Sequence, residues 1–310
     1  MNLRSRQVAA ALLLDALIGE PPARLHPVVW MGTAISLAER RALARKSPRG
    51  RMISGLVLAF ALPVFVFTVA GAAIRLTPKP LQWLPETVLL SSALSMRGLA
   101  HAATAVEREL ERGDLKTART QIGEMVGRDT EALSEEAVAR AAVESVAENT
   151  SDGVVAPMLY GLLFGAPGAL AYKAINTLDS MVGYREAPYA ELGRASARLD
   201  DLANLVPARM TALAAAIASG HPAATLLSAR RYGPLTSSPN AGWAEAAFAG
   251  ALGLRLGGAN TYGGVAREGP VLGDGRRPRP EDIRRAVSLM RRLCILFAGA
   301  MLVSGRLFRG

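Results

Sequence analysis

Long apolar segments alternate with short charged ones along most of this chain. The clearest apolar segment runs from Met52 to Ile74 and contains no charged residue. A helix of that length rises roughly 34 Å, enough to cross a bilayer with some tilt. Pro63 is expected to kink this helix without forbidding it. A second apolar segment, from Leu81 to Ala100, is interrupted by two charges and could also span.

Further apolar segments follow, and they are rich in small residues. The segment from Val154 to Leu178 is rich in Gly and Pro, which predicts broken helices packed closely together. Helices are also expected over Ala203–Ser219 and Ala241–Leu256, and a last one is expected from Glu281, apolar over Leu293–Val303. Strand-like alternation is scarce throughout. The pattern therefore predicts an all-α, polytopic integral membrane protein.

Charged segments lie between the apolar ones. Residues 101 to 152 carry many charges but keep an apolar face, which predicts a soluble helical hairpin that turns at Gly113-Asp114. Residues 257 to 280 are expected to form a loop rich in Gly, Pro and Arg. A basic loop at residues 40 to 51 is expected on the cytoplasmic side. We predict one membrane domain over residues 1 to 310.

Composition agrees with this topology. The chain is 50% apolar and only 20% charged, with a net charge of +10. Basic loops beside membrane helices account for that charge, and no nucleic-acid-binding signature is present, so we expect no nucleic-acid partner. The single cysteine, Cys294, excludes an intramolecular disulfide.

Polar clusters within this apolar sequence are the candidate chemistry. Glu144, Glu148 and Asp152 follow a four-residue spacing that would place them on one helical stripe, with Asn149 beside it. Carboxylates in such an arrangement are suited to hard cations such as Mg²⁺. The alternative is a solvated helix face whose last residues cap the next helix.

Three more clusters lie further along the chain. They are Asn176 with Asp179, Asp200-Asp201 with Asn204, and Ser238 and Asn240 with Glu245. Helix capping or ion pairs with nearby arginines could explain each one alone. No phosphate-binding glycine loop of the P-loop or Rossmann type is present, and the three histidines are isolated. Several clusters in one apolar chain favour a site over capping.

These clusters also carry a resemblance. The sequence resembles the CobD/CbiB family of adenosylcobinamide-phosphate synthases over nearly the whole chain, in family order. The matching strings begin at Leu14-Asp15, His26-Pro27-Val28, Glu144-Ser-Val-Ala-Glu148-Asn149, Lys173-Ala-Ile-Asn176, Asp200-Asp201 and Ser238-Pro239-Asn240, and they end near Leu256-Gly257-Gly258. Glu20 stands where the family opening has Asp.

The resemblance implies an enzyme of late corrinoid assembly. It would join adenosylcobyric acid to (R)-1-aminopropan-2-yl phosphate, or a related amino-alcohol phosphate, by an ATP-dependent amide synthesis. The resemblance implies ATP as a cofactor, contact with other late corrinoid-assembly enzymes, and a place in the cell inner membrane with the active site facing the cytoplasm. Because a carboxylate is a poor electrophile, we expect the reaction to pass through an acyl phosphate, with Mg²⁺ held by the acidic clusters.

The resemblance also assigns positions. Expected catalytic residues are Glu144, Glu148, Asn149, Asp152, Asn176 and Asp179. Expected substrate and phosphate contacts are Lys173, Arg185, Arg194, Arg198, Arg209, Ser238, Asn240 and Glu245. Expected metal ligands are Glu148, Asp152, Asp179, Asp200 and Asp201.

Two rival hypotheses remain. Acid-and-amide motifs on membrane helices are also typical of Mg²⁺-dependent intramembrane prenyltransferases, which need paired aspartate-rich helices. A non-enzymatic membrane sensor of related fold would instead use the clusters as structural ion pairs.

Overall fold

The computed structural model describes the backbone of residues 3–45, 47–184 and 186–307, and the side chains through residue 303. Helices dominate these residues, as predicted. They are α1 (Leu3–Leu17), α2 (Pro27–Leu43), α3 (Pro48–Leu76), α4 (Trp83–Ser91), α5 (Met96–Glu111), α6 (Leu115–Gly123), α7 (Glu135–Thr150), α8 (Ala156–Val182), α9 (Arg194–Ser219), α10 (Pro222–Tyr232), α11 (Ala241–Leu252) and α12 (Pro280–Leu307).

The segment predicted as an irregular loop contains short strands. They are β1 (Leu256–Gly257), β2 (Asn260–Tyr262), β3 (Val265–Arg267) and β4 (Val271–Leu272). β1 pairs with β4 and β2 pairs with β3, both antiparallel. Such short strands leave no alternating pattern in the sequence, which is why the prediction missed them.

Four helical stretches are long and apolar enough to cross a membrane: Pro48–Leu76, Glu135–Val182, Arg194–Ser219 and Pro280–Val303. The prediction of an all-α, polytopic membrane protein is thus confirmed. The apolar segment from Leu81 to Ala100, however, is divided between α4 and α5. With only 9 residues, α4 rises about 14 Å, too short to span.

Contacts group the chain into two compact units. The first unit comprises Met1–Ser95, Ala156–Asn204 and Ala298–Gly310, and the second comprises Met96–Val155 and Leu205–Phe297. The expected single domain over the whole chain stays a prediction.

In the first unit, α8 packs against α1, α2, α3 and α4. Ile35, Leu178 and Val182 form a fully buried apolar cluster there. The predicted break in the Gly/Pro-rich segment is confirmed at Gly165, where φ is 74° and ψ is −169°. The Ala166 N–H freed at this break donates to Glu86 Oε1 at 2.7 Å, so a buried carboxylate stabilises the interrupted helix.

In the second unit, α5 packs against α6 and α7, and α7 packs against α11. The predicted turn is confirmed: Gly113 has a φ of 77°, and Asp114 caps α6 by accepting the Thr117 N–H at 3.0 Å. The charged segment therefore forms a helical hairpin whose buried side is apolar, as the pattern predicted.

Candidate functional site

The second unit contains a cavity of about 410 Å³. Its walls come from α7, α11, the turn before α11 and the strand segment after it. The charged and hydroxyl side chains that line it include Arg128, Glu144, Glu148, Ser238 and Glu245. Four of these, all but Arg128, are residues that the sequence assigned to chemistry in two separate clusters, and the fold brings them to one cavity.

Glu144 fastens the strand segment to α7. Its Oε2 accepts from Arg128 Nη2 at 2.8 Å, and its Oε1 accepts the Gly257 N–H at 2.7 Å. Arg140 Nη1 lies 3.7 Å from Oε1. The Arg128 and Glu144 side chains are only 6% and 12% exposed. Charge-assisted hydrogen bonds in such a dry setting are strong, so Glu144 positions one wall of the cavity.

Two arginines that the sequence analysis did not single out complete this anchor. Arg140 Nη2 donates to Asn260 Oδ1 at 2.9 Å and to the Ala259 carbonyl at 3.0 Å. Arg128 also donates to Asn260 Oδ1. Their contacts with the strand segment lie more than a hundred positions away and have no spacing in the chain. The four-residue spacing of Arg140 and Glu144 is the sequence signal that could have found Arg140.

Glu148 and Glu245 face the same cavity from α7 and α11. Glu148 is exposed and Glu245 is partly buried. Burial raises the pKa of Glu245 well above its usual value, and the negative charges of Glu148 and Glu144 raise it further. Arg128 opposes this effect. Glu245 is therefore a carboxyl group that holds a proton more tightly than an ordinary glutamate.

Asp152 takes no part in lining this cavity, although it belongs to the predicted stripe. A π-helical turn over Ser151–Val155 joins α7 to α8. Because a π turn is wider than an α turn, the four-residue register that relates Glu144 to Glu148 does not extend to Asp152. Asn149 precedes the turn, and its Nδ2 donates to the Ser145 carbonyl at 2.9 Å.

The turn before α11 is built by the Ser238 cluster together with Arg209. Ser238 Oγ accepts the backbone N–H groups of Asn240 and Ala241, each at 3.3 Å. Arg209 Nη1 donates to Asn240 Oδ1 at 2.6 Å, and its guanidinium lies 4.7 Å from the Trp243 ring centroid. Arg209 and Asn240 thus shape the turn that presents Ser238 to the cavity.

A second cluster lies in the first unit around Asp200, which is only 9% exposed. Asn204 Nδ2 donates to Asp200 Oδ2 at 3.0 Å, and Tyr172 holds Asn204 through a 2.8 Å hydrogen bond. Asp200 Oδ1 is buried and has no hydrogen-bond partner among the residues that the structure describes. A carboxylate that is held in place and has one oxygen without a hydrogen-bond donor is suited to binding a cation.

Lys173 and Asn176 belong to the same cluster. Lys173 Nζ donates to Asn176 Oδ1 at 3.0 Å, and both side chains interact with Asp200. Residues of two predicted clusters, Asn176 from one and the Asp200–Asn204 pair from the other, therefore meet in space together with Lys173.

The other predicted site residues of the first unit lie close to this cluster in sequence. Asp179 lies against Gly183, where a methyl group would stand 2.0 Å from Asp179 Oδ1. Asp201 is partly buried, whereas Arg194 and Arg198 are exposed. Arg185 lies outside the described residues.

Known proteins are similar to this chain over nearly its whole length. The family described as "CobD/Cbib protein" matches residues 8–290. "Cobalamin biosynthesis protein CobD" of Citrobacter koseri is 44% identical over 90% of this chain and 91% of its own. The protein of that name from Chromobacterium violaceum is 44% identical over 95% of this chain and 94% of its own.

"Cobalamin biosynthesis protein CbiB" of Salmonella typhimurium is 41% identical over 90% of this chain and 91% of its own. No solved structure matches the chain. The similarity covers both units and every cluster described above, and the chain therefore belongs to the CobD/CbiB family of cobalamin biosynthesis proteins.

Proposed function

We propose that this protein joins adenosylcobyric acid to (R)-1-aminopropan-2-yl phosphate, or to a related amino-alcohol phosphate, in an ATP-dependent reaction that gives adenosylcobinamide phosphate. The observation that carries the proposal is the cavity of the second unit. It combines carboxylates, a buried arginine and hydroxyl groups, which are the groups that a small molecule with one ammonium and one phosphate requires.

The two ends of the amino-alcohol phosphate fit different parts of this cavity. Glu148 and Glu245 would attract the ammonium. Ser238 Oγ already accepts two backbone N–H groups, so its own hydrogen is left to donate to a phosphate oxygen. Arg128 adds positive charge at the same cavity. The volume of about 410 Å³ accommodates such a molecule together with water.

The reaction needs an activated acid, because a carboxylate is a poor electrophile. A propionate oxygen attacks the terminal phosphorus of ATP, the bond from that phosphorus to the bridging oxygen breaks, and ADP leaves. The amine nitrogen then attacks the acyl phosphate carbon, and the bond to the phosphate oxygen breaks to release inorganic phosphate. One proton must leave the ammonium before attack, and a base must receive it. A second proton leaves the nitrogen as the amide forms, and the departing phosphate takes it.

Glu245 is the base that the cavity supports best. Its raised pKa makes its carboxylate a stronger base than that of an ordinary glutamate. Glu148 and Glu144 keep negative charge beside it, which favours transfer of the ammonium proton to Glu245. Glu144 itself is held by Arg128 and Gly257, so we assign it to positioning.

The Asp200 cluster supports the Mg²⁺ part of the proposal. Asp200 has a buried oxygen without a hydrogen-bond partner among the described residues, and Asp201 is its neighbour in the chain. The described residues contain no group of three or more His, Cys, Asp or Glu side chains placed to hold a metal ion. This fits an ion held by one or two carboxylates, with phosphate oxygens and water completing its shell. Bound there, Mg²⁺ would neutralise phosphate charge, and Lys173 would contact a phosphate oxygen.

Reconstitution tests the function. Purified protein in lipid nanodiscs receives adenosylcobyric acid, the amino-alcohol phosphate, ATP and Mg²⁺, and the amide product is measured by mass spectrometry. Glu245→Gln should lower turnover at least a hundredfold, because an amide cannot accept the proton. Glu131→Gln, an exposed position in the same unit, should retain wild-type turnover. Absence of product with wild-type protein would refute the proposal.

The pH dependence tests the role of Glu245 separately. Turnover should rise with pH as Glu245 loses its proton, with a midpoint above the usual glutamate range. Glu148→Gln removes a negative charge that raises the pKa of Glu245, so the rising limb should move to lower pH. If turnover of Glu148→Gln rises over the same pH range as that of the wild type, Glu245 is not the general base.

Location is a further part of the proposal. We place the protein in the cell inner membrane with the basic loop at residues 40 to 51 in the cytoplasm. Contact with other late corrinoid-assembly enzymes would let the large product pass on. Labelling of a cysteine introduced at Arg49 in intact and opened cells would test the orientation, and labelling in intact cells by an impermeant reagent would contradict it.

A further inference from the structure

A second cavity, of about 550 Å³, lies in the first unit and shares no lining residue with the proposed reaction site. Three basic side chains line it: Arg4 from α1, Arg75 from the last turn of α3, and Lys79 from the turn that follows. Apolar and aromatic side chains form the rest of its wall, with Phe67, Trp83 and Phe164 among them.

Two of the three basic side chains of this cavity keep their charge uncompensated. Arg75 and Lys79 are exposed and form no ion pair with any residue in the described part of the chain. Arg4 donates to the Leu163 carbonyl, which positions its guanidinium. The one carboxylate in the lining, Glu86, is buried and accepts the Ala166 N–H.

The N-terminus of α4 adds to the positive electrostatic potential of the cavity. Trp83 is the first residue of α4, and its N-cap Gln82 makes no side-chain capping hydrogen bond to the helix. Gln82 Nε2 instead donates to the Thr77 carbonyl at 3.1 Å. The first N–H groups of α4 and its positive dipole end therefore add to the basic side chains.

The position of the cavity identifies the ligand. Arg75 lies in the last turn of α3, the most apolar of the candidate membrane spans, and Trp83 is 54% exposed. A tryptophan and cations at the end of a span are typical of the depth of lipid headgroups. Grouped cations at headgroup depth attract the phosphate of an anionic lipid, and in the proposed orientation of α3 that lipid belongs to the leaflet away from the cytoplasm.

We propose that this cavity binds the phosphate of an anionic phospholipid, with Arg4, Arg75 and Lys79 around the phosphate and the acyl chains along Phe67 and Phe164. The dipole of α3 alone would explain a cation at Arg75, but it does not explain Arg4 or Lys79. The site is independent of the proposed reaction, so its test does not depend on turnover.

The test measures phospholipid binding by native mass spectrometry of the full chain in detergent, with short-chain phosphatidylglycerol as the probe. Each basic side chain near an anionic lipid contributes about fivefold in affinity, so Arg75→Gln with Lys79→Gln should weaken binding about thirtyfold. Arg40→Gln with Arg49→Gln removes the same charge outside the cavity and should leave binding within twofold. Arg75→Lys keeps the charge and should retain most of the affinity.

Three further probes separate the sources of phosphate. Phosphatidylcholine and uncharged diacylglycerol should bind at least tenfold more weakly than phosphatidylglycerol, and glycerol phosphate should fail to displace the lipid at equal concentration. Equal displacement by glycerol phosphate would mean a site for a soluble phosphate and would overturn the proposal. Equal loss of affinity in both double variants would also overturn it, because general surface charge would then explain binding.

Discussion

Glu144→Ala removes the anchor between α7 and the strand segment. The carboxylate accepts from Arg128 at 2.8 Å and from Gly257 at 2.7 Å, and both charged side chains are nearly buried. Breaking a buried ion pair by removing one partner costs about 3–5 kcal/mol, because the other charge stays buried without compensation. We expect about 3 kcal/mol here, since Asn260 still accepts from Arg128.

Hydrogen–deuterium exchange of the segment from 254 to 272 measures this effect. A loss of about 3 kcal/mol in local opening free energy corresponds to roughly a hundredfold faster exchange. Glu131→Ala is the matched control and should leave exchange unchanged. The double variant Arg128→Met with Glu144→Leu should exchange more slowly than Glu144→Ala, because the buried charge of Arg128 is removed together with its partner. Wild-type exchange in Glu144→Ala would refute the anchoring role.

Two glycines give further predictions. Gly165→Ala should cost about 1–3 kcal/mol, because φ 74° with ψ −169° is accessible almost only to glycine, and the new methyl would lie 2.5 Å from Glu86 Oε1. Thermal unfolding in detergent measures this, with Gly71→Ala, whose methyl meets only a 3.9 Å contact, as control; equal melting temperatures would contradict the strain. Gly183→Ala should displace the Asp179 carboxylate, 2.0 Å from the new methyl, and lower kcat at least tenfold. Unchanged kcat would remove Asp179 from the site.

Much of the fold was predictable because the apolar segments are long. α3 follows from a stretch without charge, and the hairpin before α7 follows from its apolar face and its Gly113-Asp114 turn. Leu81–Ala100 was predicted less well, because hydrophobicity does not reveal that α4 ends at Ser91. The short strands were also missed, since they depend on contacts with α7 rather than on local alternation.

The candidate site was predictable only in part. The sequence identified Glu144 and Glu148, and their spacing placed both on one face. It did not identify Arg128, because that residue precedes α7 and meets Glu144 and Asn260 only through tertiary packing. It also grouped Asp152 with the other two, since the π turn that changes its register depends on how α7 continues into α8. Tertiary packing decides both features.

The proposed amide synthesis requires activation of the corrinoid carboxylate by ATP. Turnover of adenosylcobyric acid labelled with ¹⁸O in its reacting carboxylate, by the reconstituted protein, measures this activation. One labelled oxygen should appear in the inorganic phosphate, with one ADP formed for each amide. Amide formation with unlabelled phosphate would contradict the acyl phosphate route, and ADP formation without amide would contradict the proposed reaction itself.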